Sequence, residues 1–177
     1  MRIAIFHNLP SGGAKRALLE WSRRLARRHT LDVFSLSSAD HDFCDLRPLT
    51  GLHRVYPFAS RRGFDSPFGR LNAGQRWRDL RALREIGRAL AREIDAGGYD
   101  VLFAHPCRFS RVPPVLEFVR TPAIYYLHEP VAPAAPRRWG RPYERGRAGL
   151  DRFDPLRAIY WAEARRGQAA GLRRAAR

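Results

Sequence analysis

The stretch that decides the fold is residues 2–36, RIAIFHNLPSGGAKRALLEWSRRLARRHTLDVFSL. Its first five residues are a short apolar run, which is followed by a turn-rich segment that ends in Gly12 and Gly13. This pattern predicts a buried strand and then a loop. Apolar residues recur at helical spacing over 14–28, and 31–36 reads as a second strand. Strand, helix and strand within about 35 residues predict a right-handed crossover unit.

The same alternation continues along the chain. The further predicted elements are a third strand at 55–58, a long helix at 75–96, a strand at 99–104, a short helix at 113–119 and a strand at 123–127. The long helix is followed by two glycines, which are typical of a helix C-terminus. The predicted fold class is therefore α/β, a single Rossmann-like three-layer domain with a mainly parallel sheet.

Three parts follow from this pattern. Residues 1–129 form the predicted Rossmann-like domain, and 130–153 form a loop rich in proline and arginine. Residues 154–177 form a final helix with few apolar positions, and no further strand follows it. A terminal helix with a partial apolar stripe normally packs on another element, so we expect that a second domain is missing after it.

Composition excludes several classes of protein. The chain has 177 residues with 45% apolar content, which is too apolar for a disordered chain. Its two cysteines cannot supply the disulfide framework of a small secreted domain, and free thiols are expected. No apolar stretch reaches the roughly 18 residues that cross a bilayer. The sequence therefore predicts a cytoplasmic protein.

The charge points to an anionic partner. The net charge is +16, and Lys15 is the one lysine among 33 basic residues. Nucleic acid, a phosphate-bearing substrate and an acidic membrane surface all fit this balance. Arginines lie beside Trp77 and beside Phe64, Phe68 and Trp139, which suits stacking on bases or shallow membrane attachment. Since no nucleic-acid-binding module is recognised, no specific nucleic acid is expected.

Three histidines follow predicted strands. These are His7, His105 and His128, and Arg108 and Glu129 lie close to the same positions. In an open parallel sheet the ligand crevice lies beyond the carboxyl ends of the strands, where the strand order reverses. We therefore expect these side chains to converge on one binding site. The alternative is that they only end buried strands and cap neighbouring backbone.

The turn at Gly12 and Gly13 suits a ligand. Glycines let a ligand approach the backbone, and free amides at a helix start attract anions. Lys15 stands in the first turn, where a cation opposes the helix dipole unless it faces an anion. The alternative is a tight strand-to-helix turn with unusual dihedral angles. Neither the Walker pattern nor the dinucleotide fingerprint occurs, so no cofactor is predicted.

Metal and nucleophilic chemistry are disfavoured by spacing. His105, Cys107 and His128 are the residues that could converge on zinc, but no paired metal-ligand motif accompanies them. No Gly-x-Ser-x-Gly elbow occurs, and neither cysteine has an activating base. The sequence therefore predicts no metal site and no covalent catalyst.

Three segments carry a family resemblance. They are MRIAIFHNLPSGGAKRA at 1–17, DVLFAHPCR at 100–108 and IYYLHEP at 124–130. Together they resemble the N-terminal, acceptor-side domain of GT-B glycosyltransferases of the family 4 (group 1) type. The resemblance implies half of a GT-B fold, with a second domain that binds a nucleotide-sugar. It implies transfer of a glycosyl group to an acceptor hydroxyl with retained anomeric configuration.

The resemblance also implies roles for residues. His128 corresponds to the strand-end histidine beside the transferred sugar and is the expected catalytic residue. Gly12 and Gly13 would border the donor phosphates and the acceptor. The expected substrate-binding set is completed by His7, Lys15, His105, Arg108 and Glu129. Without a donor domain the donor site is incomplete, and we expect the chain alone to be inactive.

Two other functions remain open. One is a basic protein that binds nucleic acid or an anionic membrane without catalysis, and the other is a Rossmann-like enzyme that uses a dinucleotide.

Overall fold

A computed structural model describes residues 1–63, 71–128 and 155–175. Its five strands are β1 (Arg2–Asn8), β2 (Thr30–Leu36), β3 (Leu52–Tyr56), β4 (Val101–Cys107) and β5 (Ala123–Tyr125). Its α-helices are α1 (Gly13–Leu25), α2 (Asn72–Ala96) and α3 (Pro155–Ala175), and 3-10 helices span Arg47–Leu49 and Pro114–Glu117. None of these helices is long and apolar enough to cross a membrane.

The strands form one parallel sheet in the order β3-β2-β1-β4-β5. The predicted α/β fold with a parallel sheet is confirmed. The chain adds strands outwards from β1 to β3, and then crosses to β4 on the other side of β1. The topological switch point therefore lies between β1 and β4, as expected for this class of sheet.

Several predicted boundaries were wrong. The third strand spans Leu52–Tyr56 rather than 55–58, because it is an edge strand whose residues are exposed or half-buried and therefore show no apolar run. The last strand ends at Tyr125, two residues earlier than predicted. The helix stop was correct: α2 ends at Ala96, and Gly98 takes a positive φ of 67°.

One face of the sheet, here called the α2 face, carries the larger core. Buried side chains of the sheet, which include Phe6, Phe34, Leu36 and Leu102, pack there against α2 and the 3-10 helix Pro114–Glu117. The buried side chains of α2 in this core include Leu83, Leu90 and Ile94. Gly87 allows this approach, since a Cβ on it would lie 2.8 Å from the carbonyl carbon of Pro114. Helix α3 packs on the same side, where Arg84 of α2 pairs with Glu117 and Glu163.

The opposite face, here called the α1 face, packs against α1. Its core is smaller and includes Ile3, Ile5, Leu31, Val33 and Leu18. The apolar stripe predicted for α1 included Trp21, and this part of the prediction was wrong. Trp21 is 41% exposed, whereas Lys15 is 1% exposed and faces the sheet with Leu18 and Ser22. Lys15, Leu18 and Ser22 share one face of α1 by helical spacing. Because Lys15 and Ser22 are polar, the pattern of apolar residues did not identify this face as the buried one.

Candidate functional site

Four sheet segments share a pattern on the α1 face: two apolar residues at alternate positions and then a polar one. The segments are Ile3-Ile5-His7, Leu31-Val33-Ser35, Val101-Phe103-His105 and Ile124-Tyr126-His128. Because side chains on a strand alternate between faces, this period places His7, Ser35 and His105 towards the carboxyl ends of β1, β2 and β4. His128, three residues beyond β5, joins them through its contact with His105. The apolar half of the face packs against α1, and the polar half forms the candidate site.

A bulge interrupts the pairing of β4 with β1 at His105 and Pro106. Phe6 pairs with Ala104 and Asn8 pairs with Cys107, so His7 alone opposes both His105 and Pro106. Proline lacks the amide hydrogen that a central strand needs, and a bulge is where it is tolerated. The sequence prediction placed His7 and His105 beyond the strand ends, whereas both lie within the last residues of β1 and β4.

The first polar contact joins α1 to β1. The Nζ of Lys15 lies 3.1 Å from the Nε2 of His7, and both residues are almost completely buried. Among the described residues, no carboxylate lies within ion-pair distance of Lys15. A buried cation without an anionic partner is costly, and such perturbed groups cluster at functional sites.

The second polar contact joins β4 to the segment after β5. The Nδ1 of His105 lies 3.1 Å from the Nε2 of His128. His105 is fully buried, whereas His128 is half-buried at the carboxyl edge. The ring of Tyr126 packs against both imidazoles at 5.5 and 4.8 Å, and Trp21 packs edge-on against Tyr126 at 6.2 Å. His128 is therefore the member of this pair that a ligand reaches from the edge.

Lys15, His7, His105 and His128 form a polar layer on the α1 face. Two further histidines extend this layer over β2 and β3. The Nε2 of His53 lies 3.2 Å from the Oγ of Ser35, and the rings of His53 and His41 are 5.5 Å apart. The His41 ring is 6.4 Å from that of His7. The sequence prediction missed His41 and His53. His53 lies in β3, an edge strand without an apolar run, so there was little signal for it in the sequence.

Burial dominates the protonation of this layer. Burial, and then the charges of His128 and Lys15, lower the pKa of His105 to about 3. Burial, and then the charge of Lys15, hold the pKa of His7 well below its usual range. Burial lowers the pKa of Lys15 to about 8, although Asp40, Cys44 and Asp45 oppose this shift. Near neutral pH the two buried imidazoles are therefore neutral and Lys15 is mainly protonated.

The glycine turn forms an open rim beside these groups. Gly12 and Gly13 are exposed, and a Cβ built on either would meet nothing within 4 Å. Gly12 takes a φ of 143°, which strains any other residue. No side chain caps the start of α1, and its first turn contains no acidic residue. The amides of this turn are therefore accessible to a ligand oxygen.

The structure brings most of the predicted site residues together. His7, Lys15, His105 and His128 share the α1 face, and Gly12 and Gly13 adjoin Lys15 at the start of α1. Arg108 follows β4 with an exposed side chain, and its amide donates to the carbonyl of Asn8. Contact of these residues with a substrate stays a prediction.

Some predicted residues lie outside the described part of the chain. They are Glu129, the loop 130–153 and the aromatic residues Phe64, Phe68 and Trp139. In the ranges 1–63, 71–128 and 155–175, no group of three or more histidine, cysteine, aspartate or glutamate side chains is arranged to hold a metal ion. In the same ranges Cys107 is buried and Cys44 is half-buried, and both are free thiols.

No family model, curated protein or solved structure matches this chain.

Proposed function

We propose that the chain forms the acceptor-side domain of a glycosyltransferase with two facing Rossmann-like domains. The observation that carries the proposal is that His7 and His105 lie on β1 and β4, the two strands that flank the topological switch point. His7 contacts Lys15 next to the open glycine turn, and His105 contacts His128. Ligands of open α/β sheets bind at this position. The three segments that resemble family 4 glycosyltransferases contain these same residues.

The proposed roles follow from accessibility. His128 contacts the transferred sugar, because it is half-buried at the carboxyl edge whereas its partner His105 is fully buried. Gly12 and Gly13 border the ligand, and the uncapped amides of α1 and the cation of Lys15 give this rim a positive potential. Such a potential stabilises the charge that develops on a leaving diphosphate. The donor is a nucleotide-sugar whose site is completed by a separate donor domain, and the acceptor presents a hydroxyl.

A basic surface supports a second candidate, which is attachment to an anionic membrane. Trp21 and Leu127 are 41% and 45% exposed, and Ile124 is 57% exposed. Arg24 lies one turn after Trp21 in α1, and Arg28 lies in the turn that follows this helix. Neither forms an ion pair with another described residue. Apolar side chains beside unpaired arginines suit shallow insertion among acidic headgroups. This attachment is compatible with catalysis and also stands as the non-catalytic alternative.

The test of the main proposal uses the complete enzyme. The chain is combined with the separate donor domain that the proposal requires, and transfer is measured with a panel of nucleotide-sugars. We expect His128→Ala to lower kcat/KM by roughly 10²-fold, the scale of losing one preorganised hydrogen-bond donor. The matched control is His29→Ala, because His29 directly precedes β2 and lies at the amino-terminal end of the strands, away from the candidate site. Equal activity of the two variants would contradict the proposal.

Two further measurements separate the alternatives. Gly13→Val should lower transfer more than stability, because its side chain projects from the open rim. By calorimetry, the chain alone should bind nucleotide-sugars weakly; tight binding would show that the donor site is misplaced. Absence of transfer together with steeply salt-dependent binding to RNA or acidic vesicles would favour the non-catalytic alternative.

A further inference from the structure

Lys15 and His7 together contain buried N–H groups that no described residue accepts. An ammonium group has three donors and no acceptor, so the Nζ of Lys15 donates to the Nε2 of His7. In the described part of the chain this is the one hydrogen bond of that ammonium group, and Lys15 is 1% exposed. Two of its N–H groups are therefore left without a protein acceptor.

His7 adds a third donor. A neutral imidazole that accepts at Nε2 carries its proton on Nδ1, and burial keeps His7 neutral because it lowers the pKa of the ring. This Nδ1 is buried and has no hydrogen-bond partner among the described residues. A buried donor without an acceptor is costly. The pair therefore presents three such donors, and only an acceptor atom from a ligand or from water can satisfy them.

Two exposed arginines extend this positive region. Arg16 follows Lys15 in the first turn of α1, and its side chain is exposed. The amide of Arg108 donates to the carbonyl of Asn8, which follows His7 in β1, and the side chain of Arg108 is also exposed. Neither guanidinium group forms an ion pair with a described residue. Three cations without a carboxylate partner thus adjoin the end of β1 and the start of α1.

The carboxylates that act on Lys15 are engaged elsewhere. The charges of Asp40 and Asp45, in the connection between β2 and β3, favour a higher pKa of Lys15, but neither carboxylate pairs with it. Asp40 accepts from two backbone amides of its own turn, at 3.1 and 2.9 Å. Asp45 pairs with Arg47 at 2.9 Å. The charge of Lys15 is therefore left for an external anion.

We propose that Lys15, Arg16 and Arg108 form a binding site for a phosphate group of the substrate that this chain holds. A phosphate group has several acceptor oxygens and nearly two negative charges, so it supplies both the acceptors and the countercharge that these residues lack. The identification of that substrate as the acceptor of glycosyl transfer rests on the proposed function, whereas the phosphate site does not. The acceptor is then a phosphate monoester that also carries the reacting hydroxyl group.

The first test is binding of inorganic phosphate to the chain alone near neutral pH. Spectra that correlate ¹H and ¹⁵N follow the backbone amides of the labelled protein during the titration. We expect saturable shifts for amides within 7–16 and 107–109, and sodium chloride at the same ionic strength should not reproduce them. Absence of saturable shifts in these segments at millimolar phosphate would overturn the proposal.

Variants separate the site from the net charge of the protein. Lys15→Met should lower the affinity for phosphate by roughly tenfold, the scale of one charge-assisted hydrogen bond. Arg16→Gln and Arg108→Gln should each lower it by about threefold, as for an exposed ion pair. These two exposed positions decide the question if Lys15→Met does not fold.

The matched control is Arg28→Gln. Arg28 is exposed, forms no ion pair with a described residue and lies in the turn after α1, at the amino-terminal end of the strands. This variant should bind phosphate as the wild type does. Equal losses of affinity in Arg28→Gln and Arg108→Gln would show that only net charge attracts the anion, and would overturn the proposal.

The second test assigns the phosphate group to a substrate, because the donor also contains phosphoryl oxygens. The chain is combined with the donor domain, and transfer is measured to hexose phosphates and to the same hexoses without phosphate. Arg108→Gln should raise the KM for the hexose phosphate by about threefold and leave the KM for the free hexose and for the nucleotide-sugar unchanged. A raised KM for the nucleotide-sugar alone would assign the site to the donor and overturn the proposal.

Failure of this proposal and failure of the proposed function give different results. Phosphate binding at 7–16 and 107–109 without any transfer activity would keep the phosphate site and remove the glycosyltransferase proposal. Transfer to free hexoses by a chain that does not bind phosphate would remove the phosphate site and keep the glycosyltransferase proposal.

Discussion

The two faces of the sheet differ in whether their buried charged side chain has a partner of opposite charge. On the α2 face, the buried Asp32 accepts hydrogen bonds from Arg2 at 2.8 Å and from the hydroxyl of Tyr99 at 2.9 Å. On the α1 face, the buried Lys15 contacts the neutral ring of His7. A paired charge is compatible with stability, whereas an uncompensated cation lowers it. The α2 face is thus built for packing, and the α1 face keeps a costly polar layer at the predicted binding edge.

The largest expected effect tests the packing of the α2 face. Gly87→Ala should lower the free energy of unfolding by about 3 kcal/mol, because the new Cβ overlaps the backbone of Pro114. Gly74→Ala in the same helix is the control, since its Cβ would lie 3.9 Å from the nearest atom. It should be neutral or stabilising by up to about 1 kcal/mol through helix propensity. Urea denaturation measures both, and equal effects would contradict the close approach.

The second effect tests the α1 face with acid. The pKa of His105 is about 3 in the folded chain, below the usual 6.5, so the folded state favours the neutral ring. Its contribution to stability is complete above pH 6.5 and is lost as the pH falls towards 3. Between pH 7 and pH 5 we expect a loss of about 2 kcal/mol from this residue alone. Urea denaturation at each pH should show a smaller loss in His105→Asn, and the same loss in both proteins would contradict the assignment.

The third effect tests the unpaired cation with alkali. Lys15 has a folded pKa of about 8, below its usual 10.5, so the unfolded chain binds more protons between these values. Stability should therefore rise with pH, by about 1.5 kcal/mol from pH 8 to pH 9.5. Lys15→Met removes this titration. Comparison of its unfolding free energies with those of wild type over this range should isolate the rise, and parallel curves would show that Lys15 is not buried as a cation.

The smallest effect tests the glycine rim. Gly12→Ala should cost about 1 kcal/mol, because its φ of 143° suits only glycine. Gly13→Ala has the same open space without a positive φ and should leave the unfolding free energy nearly unchanged. Thermal melts of the two variants give the comparison. A larger loss for Gly13→Ala would mean that the rim is packed rather than open.

Much of this site could be predicted because strand periodicity and parallel topology are local or general properties. The parallel topology was enough to predict that His7 and His105 would lie near each other at the carboxyl ends of neighbouring strands, although both lie within β1 and β4 and not beyond them. Lys15 was harder, because a lysine is rarely buried and its position in α1 favoured an exposed side chain. His53 was missed because its edge strand has no apolar run, and the 3.1 Å contact between His105 and His128 joins β4 to the segment after β5, which no local pattern specifies.

The sequence alone determined that the chain forms an α/β sheet with polar residues at the carboxyl ends of its strands, since periodicity and turn chemistry are written in neighbouring residues. The tertiary structure decided which polar groups became partners and which lost solvent. Lys15 is buried beside His7 where α1 packs on the sheet, and His105 is buried against Tyr126 and His128. Hydrogen-bond direction and pKa depend on those three-dimensional neighbours, because desolvation and charge act through space rather than along the chain.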